Sequence, residues 1–447
     1  MVNFTLELDE NSPYYIQIYQ TIATRINQGA IQSLEKLPSK RKLAAHLNVS
    51  TNTIVNAYNL LLDEGYIFSK EKKGYFVTQQ QKLTIVPKPS SFPTLEMDSY
   101  LFDLTTQNTM DKDFSFTGFQ KCVRTSLAEQ NYVFKSPLEG LEGLRKAIAE
   151  HLLENRGIKA NYQQIIIGNG LEMISSLFPL LKATCYGLEN PGYHKLAILL
   201  KNHHLETEYV ELDANGVQLP KQSTVLYTTP FNQFPTGTKM SISRKKELIL
   251  WATQEDHYLI EDDFDAEFRI NDGPTTALYT LNPQKVIFFS SFSSTLFSGA
   301  RISYMILPEP LLAEYQKRYK GYSNPVSSLD QTILFHYLES GEYAKHINRL
   351  KNRYLKKREL IKEAFRNCKN IKVDLKKNYL SMLIHLNNSI SLDDFLMDLE
   401  KEKIKLNSIS SYDIHHRKSY TLIIGYTNID EENLKKALAI IKEKIEH

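Results

Sequence analysis

The first part of the chain carries an isoleucine at every fourth position, at Ile18, Ile22 and Ile26. This spacing places the three side chains on one face of a helix. Pro13 stands near the start of the stretch, where its missing N–H loses no hydrogen bond. The pattern therefore predicts a first helix from about Pro13 to Asn27.

Two shorter helical patterns follow, and each is introduced by a serine. Ser39 is predicted to cap the second helix and Ser50 the third, which ends before Gly65, because a serine hydroxyl accepts a hydrogen bond from a free N–H of the first turn. The tight turn Asn48-Val49 between them predicts a helix-turn-helix. The inward-facing positions are Leu43, Ala44, Leu47, Ile54, Tyr58 and Leu61.

The segment after the third helix predicts a β-hairpin. Tyr66-Ile67-Phe68 and Tyr75-Phe76-Val77 flank a basic tip, Lys70-Glu71-Lys72-Lys73-Gly74. Together with the helix-turn-helix this makes a winged helix, and the small polar residues at the start of the third helix suit base edges and phosphates in a major groove. The alternative interpretation is a helical domain that binds protein rather than DNA, with a tip that is only a solvated turn.

The unit resembles the winged helix of GntR-type regulators. The resemblance rests on Leu37-Pro38-Ser39-x-Arg41-x-Leu43-Ala44, Val49-Ser50-x-x-Thr53-Ile54-x-x-Ala57-Tyr58 and Glu64-Gly65-Tyr66. It departs at Thr51, where the family usually has arginine, and it implies that Arg41 contacts a DNA phosphate. The predicted DNA-binding residues are Ser39, Arg41, Ser50, Thr51, Asn52, Thr53, Asn56, Lys72, Lys73 and Gly74.

Beyond about Asp98, short apolar segments alternate with helical stretches. This alternation predicts an α/β fold with a mostly parallel sheet. From about Leu329 to Phe365 a long basic helical stretch is predicted to begin a smaller C-terminal α+β part. The predicted strands include Ile165-Ile166-Ile167, Val225-Leu226-Tyr227, Tyr258-Leu259-Ile260 and Val286-Ile287-Phe288-Phe289.

The chain is therefore predicted to have a winged helix-turn-helix domain over residues 1–78 and a body over residues 98–447. The body divides into a large part, about 98–328, and a small part, about 329–447. Between the domains, residues 79–97 combine a polar run with spaced prolines, which is typical of a semi-rigid linker.

Composition narrows the functional class. The 447 residues are 42% hydrophobic and 23% charged, with a net charge of only +3, so the chain as a whole has no large basic field. The three cysteines match no metal or redox motif, and no metal is expected. The acidic N-terminus lacks the apolar stretch of a signal peptide, and no run is long enough to span a bilayer, so a cytoplasmic protein is expected.

The segment from Ser290 to Leu296, followed by Gly299-Ala300-Arg301-Ile302-Ser303-Tyr304, resembles the S-F-S-K-x-L…G-x-R-x-G-Y stretch of fold-type I aminotransferases. In that family the lysine holds pyridoxal phosphate as a Schiff base. Ser294 stands in its place here, and a hydroxymethyl group can neither form an imine nor carry the α-proton of an amino acid. We therefore expect no catalysis.

Further segments resemble the same family in the same order. The turn Gly168-Asn169-Gly170 follows a strand and is expected to open a helix whose N–H groups cradle a phosphate, although Leu171 replaces a frequent hydroxyl residue. The resemblance implies that Asp262 pairs with the pyridine nitrogen and that Arg301 clamps the phosphate. The implied cofactor-binding residues are Asn169, Gly170, Tyr193, Asn232, Asp262, Phe264, Ser291, Ser293, Ser294 and Arg301.

Several positions of the catalytic pattern have changed together. Besides Ser294, Phe264 replaces a tyrosine that contacts the cofactor phenolate, and Ile423 takes the place of an arginine that binds a substrate carboxylate. These changes favour a naturally degenerate site over an engineered Lys→Ser substitution. Pyridoxal phosphate would then bind only noncovalently, and an amino-acid adduct of it or another metabolite stays open as the ligand.

The winged helix and the aminotransferase pattern together resemble the MocR subfamily of GntR regulators over essentially the full chain. The resemblance implies a homodimer that binds a double-stranded DNA operator, senses a small-molecule effector and has no membrane partner. Two alternatives stay open: a pyridoxal-phosphate-dependent enzyme with an atypical or engineered site, and a DNA-binding dimer whose body is only a scaffold.

Overall fold

The computed structural model describes residues 12–79, 100–105, 114, 116–130, 133–264, 266–268, 276–297, 299–374, 380–387 and 391–446. The chain divides into two compact units, Met1–Met97 and Asp98–His447, called here the head and the body. Of the predicted linker, residues 80–97 lie outside the described residues, as does Asp265 of the acidic segment.

The head contains three helices and a hairpin, as the sequence predicts. Its core is formed by the apolar faces of the helices, including Ile18, Ile22, Ile54 and Leu61, which are almost fully buried. Its elements are α1 Tyr14–Asn27, α2 Lys40–Leu47, α3 Thr51–Asp63, β1 Ile67–Lys70 and β2 Gly74–Val77.

Both predicted serine caps are present. The Ser39 hydroxyl accepts a hydrogen bond from the Lys42 N–H at 3.3 Å, and the Ser50 hydroxyl accepts one from the Thr53 N–H at 3.1 Å. Each cap satisfies a donor that the helix cannot satisfy internally. The turn between α2 and α3 passes through Asn48 in the left-handed region, at φ 51°.

The hairpin β1–β2 is antiparallel, with Lys70 opposite Gly74 at its tip. Lys72 turns the chain at φ 57°, so the tip presents its lysines to solvent. The segment before α2 also joins the hairpin, because the Leu37 N–H donates to the Tyr75 carbonyl at 2.9 Å. This hydrogen bond connects the hairpin to the segment that leads into α2.

The described part of the body contains a large eight-stranded sheet, a small four-stranded sheet and a pair of short strands, surrounded by helices. Its helices are α4 Phe116–Glu129, α5 Glu142–Arg156, α6 Phe178–Leu181, α7 Lys195–Asn202, α8 Ile242–Gln254, α9 Leu278–Leu281, α10 Glu309–Arg318, α11 Ser328–Glu339, α12 Glu342–Phe365, α13 Leu392–Lys401 and α14 Glu431–Glu446. Its strands are β3 Phe102–Asp103, β4 Ile165–Gly168, β5 Cys185–Asn190, β6 Glu206–Asp213, β7 Gly216–Val217, β8 Val225–Thr228, β9 Tyr258–Asp262, β10 Val286–Ser291, β11 Ser303–Ile306, β12 Ile371–Val373, β13 Ser381–Leu386, β14 Ile404–Lys405, β15 Asn407–Ser408 and β16 Thr421–Gly425.

The large sheet has eight strands in the order β4-β11-β10-β9-β8-β5-β6-β7. The neighbours from β10 to β6 pair in parallel, whereas β11 and β7 pair antiparallel to their neighbours. The prediction of a mostly parallel sheet in an α/β fold is confirmed. Parallel order brings the carboxyl ends of β8, β9 and β10 to one edge of the sheet.

Both faces of this sheet are buried. Successive residues alternate between two apolar clusters: Leu259 belongs to one and Ile260 to the other, and Phe288 and Phe289 divide in the same way. Burial on both sides explains why these strands are uninterrupted apolar runs rather than alternating ones.

The basic stretch from about Leu329 to Phe365 is not one helix. It is broken at Ser340 and Gly341, where Gly341 has φ 71°, so that α11 and α12 are separate helices. The first packs against α4 and α5 beside the large sheet, whereas the second packs against α14. A left-handed glycine ends one helix and lets the chain begin the other in a new direction.

The small sheet has the order β12-β13-β16-β15 and is antiparallel throughout. Ile423, the residue implied to replace a substrate-binding arginine, is buried in β16 opposite Leu383. In the part of the chain that the structure describes, no helix is long and apolar enough to cross a membrane.

The cap of α3 generates a test of the head. Replacing Ser50 with alanine leaves the Thr53 N–H without its acceptor, which should lower the stability of α3 by about 1 kcal/mol. We expect amide hydrogen exchange over residues 51–63 of the full chain to become about fivefold faster. Asn59→Ala on the exposed face of the same helix is the control and should not accelerate exchange. Unchanged exchange in Ser50→Ala would contradict the capping role.

Candidate functional site

Asp262 ends strand β9 and is the best-defined polar group at the carboxyl edge of the large sheet. The residue is 9% exposed. The Tyr227 hydroxyl of the neighbouring strand β8 donates to one carboxylate oxygen, and the Phe264 N–H donates to the other at 3.1 Å. The strand register therefore positions a buried carboxylate with two fixed donors.

Burial raises the pKa of Asp262 to about 7, with a smaller contribution in the same direction from the negative charges of Asp263 and Glu189. The hydrogen bonds from Tyr227 and Phe264 oppose this rise but do not cancel it. Burial also raises the pKa of the Tyr227 phenol, so this tyrosine remains a donor. Asp262 thus exchanges a proton near neutral pH and would pair well with a protonated ring nitrogen.

Ser294 follows strand β10 and is 4% exposed. Its strand lies beside β9, with Phe289 directly opposite Asp262, so the loop that carries Ser294 leaves the sheet next to the buried carboxylate. The hydroxyl of Ser293 donates to the Ala300 carbonyl at 2.9 Å, and that of Ser291 accepts from Ser303 at the same distance. These two hydroxyls hold the loop against β11.

The loop after β8 is anchored by the buried carboxylate of Glu189. This group accepts hydrogen bonds from the Thr228 hydroxyl and from the N–H and hydroxyl of Thr229, at 2.6–3.0 Å. Gln233 adds a further bond to it at 3.2 Å. Burial raises the pKa of Glu189 despite these donors. The anchoring places Asn232 in a buried position, 8% exposed, within the loop.

Two aromatic residues of the predicted site differ in exposure. Tyr193 is 51% exposed, and its ring meets the edge of Phe234 at a centroid distance of 6.4 Å. Phe264 is half-buried and packs against the larger apolar cluster. Phe264 has no hydroxyl, so its contribution to the carboxylate is made by its main-chain N–H alone.

The glycine turn differs from the expected cradle. Gly170 has φ 62°, as a tight turn requires, but the chain then forms a 3-10 helix from Leu171 to Leu177. The α-helix that follows, α6, has only 4 residues. A helix does follow the turn, but because it is a 3-10 helix, the turn does not open onto the aligned N–H groups of a long α-helix.

The predicted phosphate clamp already has an anionic partner. Arg301 donates to a carboxylate oxygen of Glu172 at 2.9 Å, and Lys195 pairs with the other oxygen at 2.7 Å. Asn169 is exposed, and with Arg301 it borders an otherwise mainly apolar cavity of about 320 Å³, whose lining does not include Asp262 or Ser294. The site residues therefore form two groups, one at the sheet edge and one at the glycine turn.

These residues fit pyridoxal phosphate only in part. The carboxylate of Asp262 suits the ring nitrogen, but Ser294 offers no amine and Glu172 places a negative charge where a phosphate would bind. The phosphate half of the cofactor therefore does not fit the site as it stands. Glu172 was not among the predicted site residues, although an acid two residues beyond Gly170 was a visible signal against an anion site.

In the head, the predicted DNA-binding side chains lie on two exposed features. Thr51, Asn52 and Asn56 are exposed at the start of α3, and Lys72 and Lys73 are exposed at the wing tip. The hydroxyls of the two serines, by contrast, serve as helix caps. The remaining predicted residues are Arg41, which is exposed on α2, with Thr53 and Gly74, which are half-buried.

No group of three or more His, Cys, Asp or Glu side chains within the described ranges could hold a metal ion. The cysteines Cys122, Cys185 and Cys368 are free thiols.

Comparison with known proteins identifies the chain. Residues 14–77 match the family of bacterial regulatory proteins of the gntR type. The HTH-type transcriptional regulator YdeL of Bacillus subtilis is 30% identical, over 99% of this chain and 98% of its own length. The probable rhizopine catabolism regulatory protein MocR of Rhizobium meliloti is 23% identical, over 97% of this chain and 94% of its own. The chain belongs to the MocR subfamily of GntR-type transcriptional regulators.

The body of this regulator has the aminotransferase fold. The multiple substrate aminotransferase from Thermococcus profundus superposes with a TM-score of 0.68, over 78% of this chain and 92% of the other, at 19% identity. At 19% sequence identity this similarity shows the fold alone, because function depends on the residues of the site.

Asp262 generates a prediction about pH. Its pKa in the folded body is about 7, above the ordinary value of 3.8, so the stabilisation from binding a proton is complete below about pH 4 and is lost as the pH rises to 7. Asp262→Asn removes this dependence. Between pH 5 and pH 8 the wild type should lose on the order of 2 kcal/mol more unfolding free energy than the variant, measured by urea denaturation.

The control is Asp256→Asn, since Asp256 is 90% exposed just before the same strand. It should keep the pH profile of the wild type. If Asp262→Asn also runs parallel to the wild type, the carboxyl is not the buried proton-binding group described above.

Proposed function

We propose that the body of this regulator binds a small ligand without catalysis, and that two heads of a homodimer bind the operator. The observation that carries the proposal is Ser294, a buried hydroxyl residue in the loop beside Asp262. With no primary amine at this position, a carbonyl ligand cannot be held as an imine there. Any pyridoxal phosphate or adduct of it would bind reversibly.

The proposed absence of catalysis can be tested directly. Wild-type protein given pyridoxal phosphate and an amino acid should form no keto acid. Reduction with borohydride should leave no cofactor on the peptide that contains Ser294. Formation of keto acid that depends on the amino acid would instead support the alternative, an enzyme with an atypical base.

We propose that the head contacts DNA through the start of α3, through Arg41 on α2 and through the wing tip at Lys72 and Lys73. Side chains such as Asn52 and Asn56 match the donors and acceptors of base edges, whereas the cations suit phosphates. The exposure of these residues and the family match over residues 14–77 support this assignment. The substitution of an arginine by Thr51 removes one contact, so the remaining cations carry more of the affinity.

Arg41 generates a prediction about salt dependence. Arg41→Ala should weaken binding to all duplex sequences and lower the slope of log K against log salt by about 0.9, because one phosphate contact is lost. Fluorescence anisotropy with the full chain measures both quantities. Arg318→Ala, which removes an exposed arginine from the body, is the control for net charge. Equal affinity and slope in Arg41→Ala and wild type would contradict the groove-docked arrangement.

A homodimer is the second part of the proposal. Two heads on one dimer would engage two half-sites, and the second contact would gain from its high effective concentration. The chain has a mass of 51.6 kDa, and sedimentation of the full protein at micromolar concentration should give a particle of roughly twice this mass. A monomer under these conditions would contradict the proposal.

A further inference from the structure

The glycine turn, Arg301 and Glu172 form one compact arrangement. A side-chain carbon added to Gly170 would meet both the Arg301 guanidinium and the Glu172 carboxylate, so the ion pair lies directly against the main chain of the turn. Only glycine leaves room for it at φ 62°. The space beside the turn is therefore occupied by a carboxylate of the chain itself.

Three donors beside the turn are directed at the same carboxylate. One oxygen of Glu172 accepts from Arg301 at 2.9 Å, and the other pairs with Lys195 at 2.7 Å. The Glu172 main-chain N–H, at the start of the 3-10 helix, also bonds to its own side chain. A guanidinium, an ammonium and a main-chain N–H are the groups that would otherwise bind a phosphate.

The charge of Glu172 is stabilised in this position. Burial acts to raise the pKa of the carboxyl, but the hydrogen bonds from Lys195 and from its own N–H, with the charges of Lys195 and Arg301, lower it below the ordinary value. Glu172 is therefore an anion at neutral pH. A phosphate at the turn would meet this negative charge and would have to displace it from its donors.

We infer that Glu172 is a built-in occupant of the anion position at the glycine turn, and that the body consequently discriminates against ligands that carry a phosphate there. This inference rests on the proposed ligand-binding role of the body and adds that the ligand has no phosphate group at this position. The ring-nitrogen partner Asp262 is unaffected by it. The favoured ligand is an unphosphorylated molecule.

The ion pair is not needed to hold the fold together. The side chains of Arg301 and Glu172 are 51% and 45% exposed, and pairs of such exposure add little to stability. Glu172→Gln should therefore fold like the wild type, which makes it a clean probe of ligand selection.

The test compares two ligands that share a ring. Pyridoxine 5′-phosphate carries the phosphate and pyridoxine does not, and neither has an aldehyde that reacts with surface lysines. Titration calorimetry with the full chain should show that Glu172→Gln binds pyridoxine 5′-phosphate roughly tenfold or more tightly than the wild type, since a like charge is removed and Arg301 is released. Affinity for pyridoxine should change less than twofold.

Two further variants complete the design. Glu247→Gln removes an exposed glutamate elsewhere in the body that accepts a hydrogen bond from Arg244 at 2.8 Å, and it should not increase the affinity for pyridoxine 5′-phosphate. The double variant Glu172→Gln, Arg301→Gln should not show the increased affinity for pyridoxine 5′-phosphate, because it lacks the guanidinium that would bind the phosphate.

The inference is overturned if Glu172→Gln and the wild type bind pyridoxine 5′-phosphate equally, or if neither binds it. It is also overturned if Glu172→Gln increases the affinity for pyridoxine as much as the affinity for pyridoxine 5′-phosphate, because the effect would then not concern the phosphate. None of these outcomes touches DNA binding by the head or ligand binding elsewhere in the body, so failure here is distinguishable from failure of the proposed function.

Discussion

The parallel pairing of β8, β9 and β10 is the constraint on which the site depends. It sets Tyr227 beside Asp262 and brings the loop that carries Ser294 off the sheet at the same edge. A slip of one residue in β9 would turn the carboxylate to the opposite face and leave the tyrosine hydroxyl without its acceptor. The burial of both faces opposes such a slip, since the apolar residues of these strands belong alternately to the two apolar clusters.

Local patterns predicted the elements well wherever neighbours in sequence determine them. Serine caps, the left-handed turn at Asn48 and the apolar runs of the central strands each follow from a few adjacent residues. The break between α11 and α12 was not predicted, although Gly341, with φ 71°, is a local signal for it. The directions of the two helices depend on packing, since α11 lies against α4 and α5 while α12 lies against α14.

The site was predicted less completely, because it also depends on contacts between residues that are distant in sequence. The sequence identifies Asp262 as an acid that ends a buried strand, but not that Tyr227 would be its donor. Glu172 and Arg301 are separated by 129 positions in sequence, so nothing local shows that they form a pair. The sequence likewise does not show that Met173, Ile174 and Leu177 of the 3-10 helix after Gly170 pack together in the second apolar cluster.

Asp262 and Glu172, the two carboxylates discussed above, have opposite environments. Asp262 is buried and its pKa lies near neutrality, whereas Glu172 is half-exposed and held as an anion by two cations. The group that would partner a ring nitrogen is kept, while the positions expected to bind an aldehyde and a phosphate now carry Ser294 and an internal ion pair. Both features are compatible with the aminotransferase fold of the body, because a fold does not depend on the groups of its site.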